Sequence, residues 1–140
     1  MFVLDTNVLS ELRPGKPNAS AAVLAWAATL PQSRTYLSAI TVMEHEAGIV
    51  RLERRTPPEG ASLRAWWDAT LGAFADRVLP LDAKAARICA QLHVPNPRSY
   101  RDAMLAATAL AHGFAVVTRN VVDYQGIAGL QLINPWDERP

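Results

Sequence analysis

The sequence predicts an α/β fold in which a mainly parallel sheet lies between two layers of helices. Short apolar runs that suit β-strands alternate along the chain with longer segments whose apolar residues recur at helical spacing, and this alternation is typical of parallel sheets. The chain has 140 residues, of which 50% are hydrophobic, so it can bury the core of one ordinary domain. We therefore expect residues 1–140 to form a single three-layer α/β/α domain.

Local signals predict each element of the first half of the chain. Strands are predicted at residues 2–4 and 35–38, and helices at residues 6–12, 23–30, 41–55 and 61–75. The Pro14-Gly15 pair ends the first helix, and the pair at residues 57–58 ends the third. In the third helix the hydropathy pattern predicts a core-facing stripe made of Ile40, Met43, Ala47 and Val50.

The second half continues the alternation of strands and helices. A brief strand is predicted at residues 78–79, a helix capped by Asp82 runs to Leu92, and residues 93–99 form a proline-broken loop. Residues 101–112 are apolar nearly all round, which predicts a buried helix, and Gly113 suits its C-terminal cap. Two final strands are predicted at residues 115–118 and 130–133.

Charge and hydropathy argue against several classes of protein. The formal net charge of +1 gives no long-range field that would attract a nucleic acid. No apolar run approaches the roughly 20 residues of a membrane helix, and the first residues lack the basic region of a signal peptide, so we expect a cytoplasmic protein without membrane contact. The single cysteine, Cys89, lies in a helical apolar pattern and is predicted to be a buried structural thiol.

Four acids follow predicted strands or lie near the starts of predicted helices: Asp5, Glu44, Asp102 and Asp123. Taken singly, each acid has a local structural explanation. Asp5 suits the N-cap of the helix that follows it, and Thr41 with Glu44 matches a capping box. Asp102 suits the first turn of its helix, and Asp123 suits a turn.

Taken together, the four acids predict a metal site at one edge of the sheet. Ligands of open parallel sheets bind beyond the carboxyl ends of the strands, where these acids can converge. Clustered carboxylates repel one another, so a cation must join them, and ligation by oxygen alone favours Mg²⁺ or Mn²⁺. The three histidines lack the spacing of a zinc site. A Mg²⁺ ion held in this way activates water at a phosphodiester, which is nuclease chemistry.

Four segments resemble the four motifs of PIN-domain ribonucleases, above all the VapC and FitB-like toxins. They are residues 3–7 (VLDTN), 38–44 (SAITVME), 102–109 (DAMLAATA) and 118–124 (TRNVVDY), in the family's order across nearly the whole chain. The resemblance implies a Mg²⁺- or Mn²⁺-dependent endoribonuclease whose catalytic, metal-binding acids are Asp5, Glu44, Asp102 and Asp123. It also implies supporting polar residues at Thr6, Asn7, Thr118 and Asn120. Such toxins are usually homodimers that a small antitoxin holds inactive.

The sequence departs from the family pattern at two places. Tyr124 replaces a Phe, which is a mild change, and Tyr100 with Arg101 is bulkier than the small residues expected before Asp102. Arg101 can pair with an acid or bind RNA, which bears on substrate choice more than on the metal site. Two other functions stay open: a catalytically silent PIN-like module that binds RNA or protein, and a Mg²⁺-dependent phosphatase with Asp5 as nucleophile. The phosphatase is disfavoured because Asn7 stands where its second acid is expected.

The aromatic residues of two helices predict an assembly. Trp66 and Trp67 are adjacent and so about 100° apart on a helix, and with Trp26 and Phe74 they offer more aromatic surface than one small core readily covers. We expect one such face to support a homodimer and another to receive an apolar segment of the antitoxin. The alternative is that all three tryptophans are internal.

Overall fold

Five parallel strands form the central sheet of the computed structural model, which describes residues 1–137. The strands are β1 (Phe2–Leu4), β2 (Thr35–Ser38), β3 (Val78–Leu79), β4 (Ala115–Val117) and β5 (Leu132–Ile133). Their order is β3-β2-β1-β4-β5, and β1 lies at the centre because Val3 pairs with Tyr36 on one side and Val116 on the other. The predicted parallel sheet is confirmed, and only residues 138–140 of the predicted domain lie outside the description.

Six helices connect and cover these strands. They are α1 (Thr6–Glu11), α2 (Ala21–Ala28), α3 (Ala39–Arg55), α4 (Pro57–Ala73), α5 (Ala83–Leu92) and α6 (Tyr100–His112), with 3₁₀ turns at Gln32–Arg34 and Val121–Tyr124. Asp82 caps α5 and Gly113 ends α6 with a φ of 70°, both as predicted. The predicted helix 61–75 begins earlier, because the proline pair at residues 57–58 starts α4 where its missing N–H groups cost nothing.

The sheet buries a core on each face. Val3 and Val116 pack with α6, whereas the next residues along the same strands, Leu4 and Val117, pack with the layer formed by α1 to α4. Successive side chains of a strand point to opposite faces, so the short strands serve both cores. The predicted three-layer α/β/α arrangement is therefore confirmed.

The predicted core stripe of α3 is partly wrong. Met43 and Val50 are 56% and 54% exposed, whereas Thr41 and Ile49 are buried. His45 lies between them on the inward stripe and stacks on Trp67 of α4 at 4.7 Å between ring centres. The inward stripe thus includes polar residues, which a search for apolar periodicity passes over.

The tryptophans are more internal than the predicted aromatic surface requires. Trp67 is fully buried, with its indole N–H donating to Glu46 Oε1 at 3.1 Å, and Trp26 is 8% exposed. Trp66 is half-buried and lines an apolar cavity of about 290 Å³ with Trp26 and Phe74. The expectation of a large exposed aromatic face was therefore wrong for Trp67 and Trp26, which fill the core.

Two further expectations can be compared with the described residues. Cys89 is buried as predicted, and burial raises the pKa of its thiol, which suits a structural side chain. Within residues 1–137 no helix is long and apolar enough to cross a membrane.

Candidate active site

Asp5 both caps a helix and belongs to a polar cluster at the carboxyl end of β1. Its carboxylate is 1% exposed, and both of its oxygens accept hydrogen bonds. Oδ1 accepts from the backbone N–H of Thr6 at 2.7 Å, which is the predicted N-cap contact, and Oδ2 accepts from Thr118 Oγ1 at 2.7 Å. Thr118 directly follows β4, so two neighbouring strand ends hold this acid in place.

Glu44 faces the same cluster from the second turn of α3. Its Oε1 accepts from Thr6 Oγ1 at 2.9 Å, which confirms that the carboxylate points inward. The capping box of Thr41 with Glu44 is wrong, because the helix begins three residues earlier than that pattern requires. Ser38 is the cap, and its Oγ accepts from the backbone N–H of Thr41 at 3.1 Å.

Asp102 reaches the cluster from the first turn of α6. Ser99 forms no side-chain cap for this helix, so the capping pattern seen in the sequence is not used. The buried Tyr124 places its hydroxyl 3.3 Å from Asp102 Oδ1 and 3.4 Å from Asp5 Oδ2. Six of the thirteen residues of the helix are buried and only Tyr100 and His112 are exposed, which agrees with the predicted buried helix and fixes the position of the acid at its start.

The guanidinium of Arg101 lies between the three acids. Its Nε donates to Glu44 Oε2 at 2.8 Å, its Nη1 donates to Asp102 Oδ1 at 2.8 Å, and its Nη2 forms an ion pair with Asp5 Oδ1. Nη1 also donates to the Tyr124 hydroxyl at 2.9 Å, and Nη2 donates to Thr6 Oγ1 at 3.2 Å. All five N–H donors of the group are therefore used.

The cluster keeps an excess of negative charge. Three ionised carboxylates and one guanidinium give −3 + 1, a formal charge of −2. Burial opposes the charge of Arg101, but its hydrogen bonds to Glu44 and Asp5 outweigh that effect and raise its pKa. Burial and the nearby charge of Asp5 raise the pKa of Tyr124, so its hydroxyl stays protonated and can donate.

The fourth predicted acid lies apart from this network. Asp123 is exposed on the second 3₁₀ turn, and none of the cluster's hydrogen bonds involves its carboxylate. Three of the four predicted acids are thus brought together, together with the predicted supporting residues Thr6 and Thr118.

The other two predicted supporting residues, Asn7 and Asn120, contact Thr118 and not the acids themselves. Asn7 Nδ2 donates to Thr118 Oγ1 at 3.4 Å, and its Oδ1 accepts from the backbone N–H of Arg119 at 3.3 Å. Asn120 acts through its backbone N–H, which donates to Thr118 Oγ1 at 3.1 Å. These contacts fix the loop after β4 against the start of α1.

Sequence reasoning missed the role of Tyr124 and half of the role of Arg101. The Tyr that replaces a Phe in the last motif is the signal for the buried hydroxyl, although the replacement looks mild. Of the two roles that the sequence left open for Arg101, the structure shows pairing with an acid, and its contact with three acids at once was not expected.

The donor set suits a hard divalent cation. Carboxylates from three elements converge on one positive group, and such oxygens are the ligands that Mg²⁺ and Mn²⁺ favour. With Arg101 between them, however, no group of three or more His, Cys, Asp or Glu side chains in residues 1–137 is spaced to hold a metal ion. The carboxylates are chemically suited to Mg²⁺ or Mn²⁺, and the guanidinium of Arg101 lies in the space between them.

A groove of about 400 Å³ opens beside the acids. It is lined by Thr6 and Glu44 of the cluster and also by Arg13, Lys16 and Trp66. Two cations and an aromatic ring next to a carboxylate cluster suit a strand of nucleic acid, whose phosphates and bases they can contact.

Comparison with known proteins gives consistent matches over nearly the whole chain. Residues 2–122 match the family model described as PIN domain. The "VapC ribonuclease Y4jK" of Sinorhizobium fredii is 40% identical over 98% of this chain and 99% of its own length. The "Toxin FitB" of Neisseria gonorrhoeae is 35% identical over 99% of this chain and 100% of its own. The crystal structure of FitAcB from Neisseria gonorrhoeae matches with a TM-score of 0.88 at 33% identity, over 99% of this chain and 100% of that chain.

Proposed function

The chain belongs to the PIN-domain family, and from that premise we propose that it is a metal-dependent endoribonuclease and the toxin of a toxin–antitoxin pair. The observation that carries the proposal is the convergence of Asp5, Glu44 and Asp102 on one cation at the carboxyl edge of the sheet. Relatives that span the whole chain are named a ribonuclease and a toxin, which supports the same activity here.

Asp5, Glu44 and Asp102 would hold the metal, Mg²⁺ or Mn²⁺, with Asp123 as a fourth ligand. The formal charge of −3 that the three carboxylates carry together favours a divalent ion over a monovalent one. When bound, such an ion lowers the pKa of a coordinated water and neutralises charge at the scissile phosphate.

The protein's own residues prepare this site. Thr6 and Thr118 fix the orientation of the Asp5 carboxylate through the hydrogen bonds described above. Tyr124 keeps its proton and so presents a donor between Asp5 and Asp102. Arg13 would contact the RNA backbone in the groove beside Glu44, and Lys16, whose Nζ lies 2.6 Å from Glu11 Oε2, would have to leave that ion pair to do so.

Cleavage of a labelled RNA by purified protein tests the activity. Mn²⁺ should support cleavage and EDTA should stop it, because the acids need a cation to act on a phosphodiester. Asp102→Asn should reduce the rate by about a hundredfold or more, since it removes a charged ligand. Asp76→Asn, at an acid whose side chain is 85% exposed and far along the chain from the motifs, is the matched control and should cleave normally. Robust cleavage in EDTA would overturn the metal mechanism.

The role of Asp123 needs its own variant, because this acid lies outside the hydrogen-bonded cluster. Asp123→Asn should lower cleavage while leaving the stability of the protein unchanged, since the side chain is exposed. Normal cleavage by this variant would leave three acids as the functional set. Binding of RNA without cleavage in Mn²⁺ would instead support the alternative of a silent PIN-like module.

We also propose a cytoplasmic homodimer that binds a small antitoxin. Met43 and Val50 lie seven residues apart on α3 and are both more than half exposed, which supports an interface on this helix. The cavity lined by Trp26, Trp66 and Phe74 supports binding of an apolar segment of the antitoxin. Light scattering should give twice the chain mass at micromolar concentration, and a clean monomer would refute the homodimer. We propose the cytoplasm as its location because the proposed substrate is cellular RNA.

A further inference from the structure

The hydrogen-bonding capacity of the acid cluster is almost used up by the protein itself. Asp5 Oδ2 accepts from Thr118 and Glu44 Oε1 accepts from Thr6. Asp5 Oδ1, Glu44 Oε2 and Asp102 Oδ1 all accept from Arg101. Of the six carboxylate oxygens, only Asp102 Oδ2 has no hydrogen-bond partner among the described residues.

A divalent ion and the Arg101 guanidinium therefore need the same oxygens. Mg²⁺ lies about 2.0–2.1 Å from its ligand oxygens, inside the positions that the guanidinium nitrogens take at 2.8 Å from Glu44 and Asp102. Two cations sharing those oxygens would also repel each other at short range. The metal and Arg101 cannot both be bound to the three acids.

We propose that Arg101 is the resident cation of the acid site and that it competes with the divalent metal for Asp5, Glu44 and Asp102. The inference rests on the proposed metal-dependent function and deepens it, because it makes Arg101 the residue that sets metal affinity. Binding of the metal requires the guanidinium to leave, and the affinity is lowered by the strength with which the acids hold it.

The geometry allows Arg101 to leave. Its side chain is 29% exposed, so one side of the group already faces solvent. It lies in the first turn of α6, after Tyr100, which is 75% exposed. A long side chain at a helix start can turn outward without moving the backbone. The three acids would then carry a formal charge of −3 toward the incoming ion.

Calorimetric titration of metal-free protein with MnCl₂ tests the competition directly. Arg101→Ala should lower the Kd for Mn²⁺ by about tenfold or more, the effect of removing at least one charge-assisted hydrogen bond that competes with the metal. Arg101→Lys keeps the charge with fewer donors and should give an intermediate Kd. Arg119→Ala is the matched control, because its guanidinium lies 5.2 Å from the centre of the Trp136 ring and forms no ion pair with the three acids. Its Kd should change by less than about threefold.

An NMR measurement on the wild-type protein guards against a variant that fails to fold. In EDTA the Nε–H of Arg101 should give a slowly exchanging signal, identified by its loss in Arg101→Lys. Saturating Mg²⁺, judged from the backbone amide of Thr6, should move that signal to the position of an exposed arginine. A signal that stays unchanged when the metal is bound would overturn the competition.

The outcomes separate this inference from the function on which it rests. Equal Kd values for the wild type and Arg101→Ala, with clear binding in both, would overturn the competition and leave the metal-dependent function standing. Absence of Mn²⁺ binding by folded Arg101→Ala would overturn the metal site itself, and the competition with it. Tighter binding of Mn²⁺ by Arg101→Ala, with an unchanged Kd for Arg119→Ala, supports both the competition and the metal site.

Discussion

Replacement of Asp5 by Asn is the sharpest perturbation of the acid cluster. The substitution preserves the shape of the side chain, removes its charge and turns one oxygen into an NH₂ donor. Asp5 accepts from Thr6 and Arg101 on one oxygen and from Thr118 and Tyr124 on the other. Either orientation of the amide therefore points its NH₂ group at donors, and no rotation restores the lost contacts.

The magnitude follows from burial and from what remains around Arg101. Breaking a buried ion pair by removing one partner costs about 3–5 kcal/mol. Arg101 keeps Glu44 and Asp102, and removal of one acid also relieves repulsion between the carboxylates, so the loss falls below the upper limit. We expect Asp5→Asn to lower the free energy of unfolding by about 2–4 kcal/mol in the absence of metal.

Urea unfolding in EDTA, followed by tryptophan fluorescence and circular dichroism, measures this loss. With a slope of about 2 kcal/mol per molar urea, the midpoint should fall by roughly 1–2 M while the slope stays unchanged. Asp123→Asn is the matched control, because the same chemical change is made at an exposed acid outside the cluster. Its free energy of unfolding should change by less than about 0.5 kcal/mol.

A stability of Asp5→Asn equal to that of the wild type would refute this reasoning. The sequence alone predicts an unchanged stability, because four unpaired acids would repel one another and an Asn at position 5 would relieve part of that repulsion. The structure leads to the opposite result, since Arg101 already supplies the cation that the clustered acids require. The experiment thus decides whether ion pairing or repulsion dominates in the metal-free protein.

Three other substitutions test the packing of α3 against α4: Gly60→Ala, Gly72→Ala as its control, and Arg64→Met. A Cβ at Gly60 would lie 2.5 Å from the backbone Cα of Glu53, so Gly60→Ala should lower the free energy of unfolding by about 1–3 kcal/mol in thermal unfolding. A Cβ at Gly72 meets no atom within 4 Å, so Gly72→Ala should leave that free energy unchanged or raise it by up to about 1 kcal/mol. Arg64 holds the pKa of Glu53 below its usual 4.5 through a hydrogen bond. As the pH falls below 4.5, Glu53 therefore takes up a proton more readily in the unfolded state than in the folded state. The stabilisation that Arg64 gives above pH 4.5 is lost as the pH falls through the lower pKa of the folded state. Arg64→Met should lower the urea midpoint at pH 6 and flatten its decline toward pH 3; an unchanged slope with pH would contradict the pairing.

The sheet was predictable from the sequence because its signals are local. The apolar runs of β1 and β4 end at the polar residues Asp5 and Thr118, and each must fill both cores, so every position in them is apolar. Helix boundaries were predicted less accurately where one sequence signal can mark either the end or the start of a helix. The proline pair at residues 57–58 follows the end of α3 and begins α4, whereas the sequence pattern predicts only the end of a helix there.

The inward face of α3 was not predictable from hydropathy. Its stripe includes Thr41 and His45, two polar residues that pack inward against other side chains. Thr41 is satisfied by Ser38, whose hydroxyl caps the helix, whereas His45 stacks on Trp67 and its buried Nε2 has no hydrogen-bond partner among the described residues. Apolar periodicity counts only apolar side chains, so it passes over polar residues that pack inward.

The acids were predictable as a group and ambiguous one at a time. The cap suggested for Asp5 is real, whereas that for Glu44 is absent, and no local pattern distinguishes the two. What separates them are contacts over long distances in the chain, such as that of Thr6 with Glu44, 38 residues away. Local patterns describe what a residue can do, and the tertiary fold decides which partner it meets.

The two departures from the family pattern are physically linked, which explains why neither was understood alone. Arg101 brings five N–H donors into the site; three of them go to the acids, Thr6 accepts one, and the hydroxyl of Tyr124 accepts the fifth at 2.9 Å. A Phe at position 124 would leave that N–H of Arg101 facing a buried aromatic ring, and an unpaired buried donor lowers the stability of the fold. The hydroxyl needs the guanidinium in turn, because its other neighbours within hydrogen-bonding distance are the two carboxylates, to which it can give only one proton. Arg101 and Tyr124 therefore act as one unit that offsets part of the acids' charge in the metal-free protein, and a sequence motif examined position by position separates its two halves.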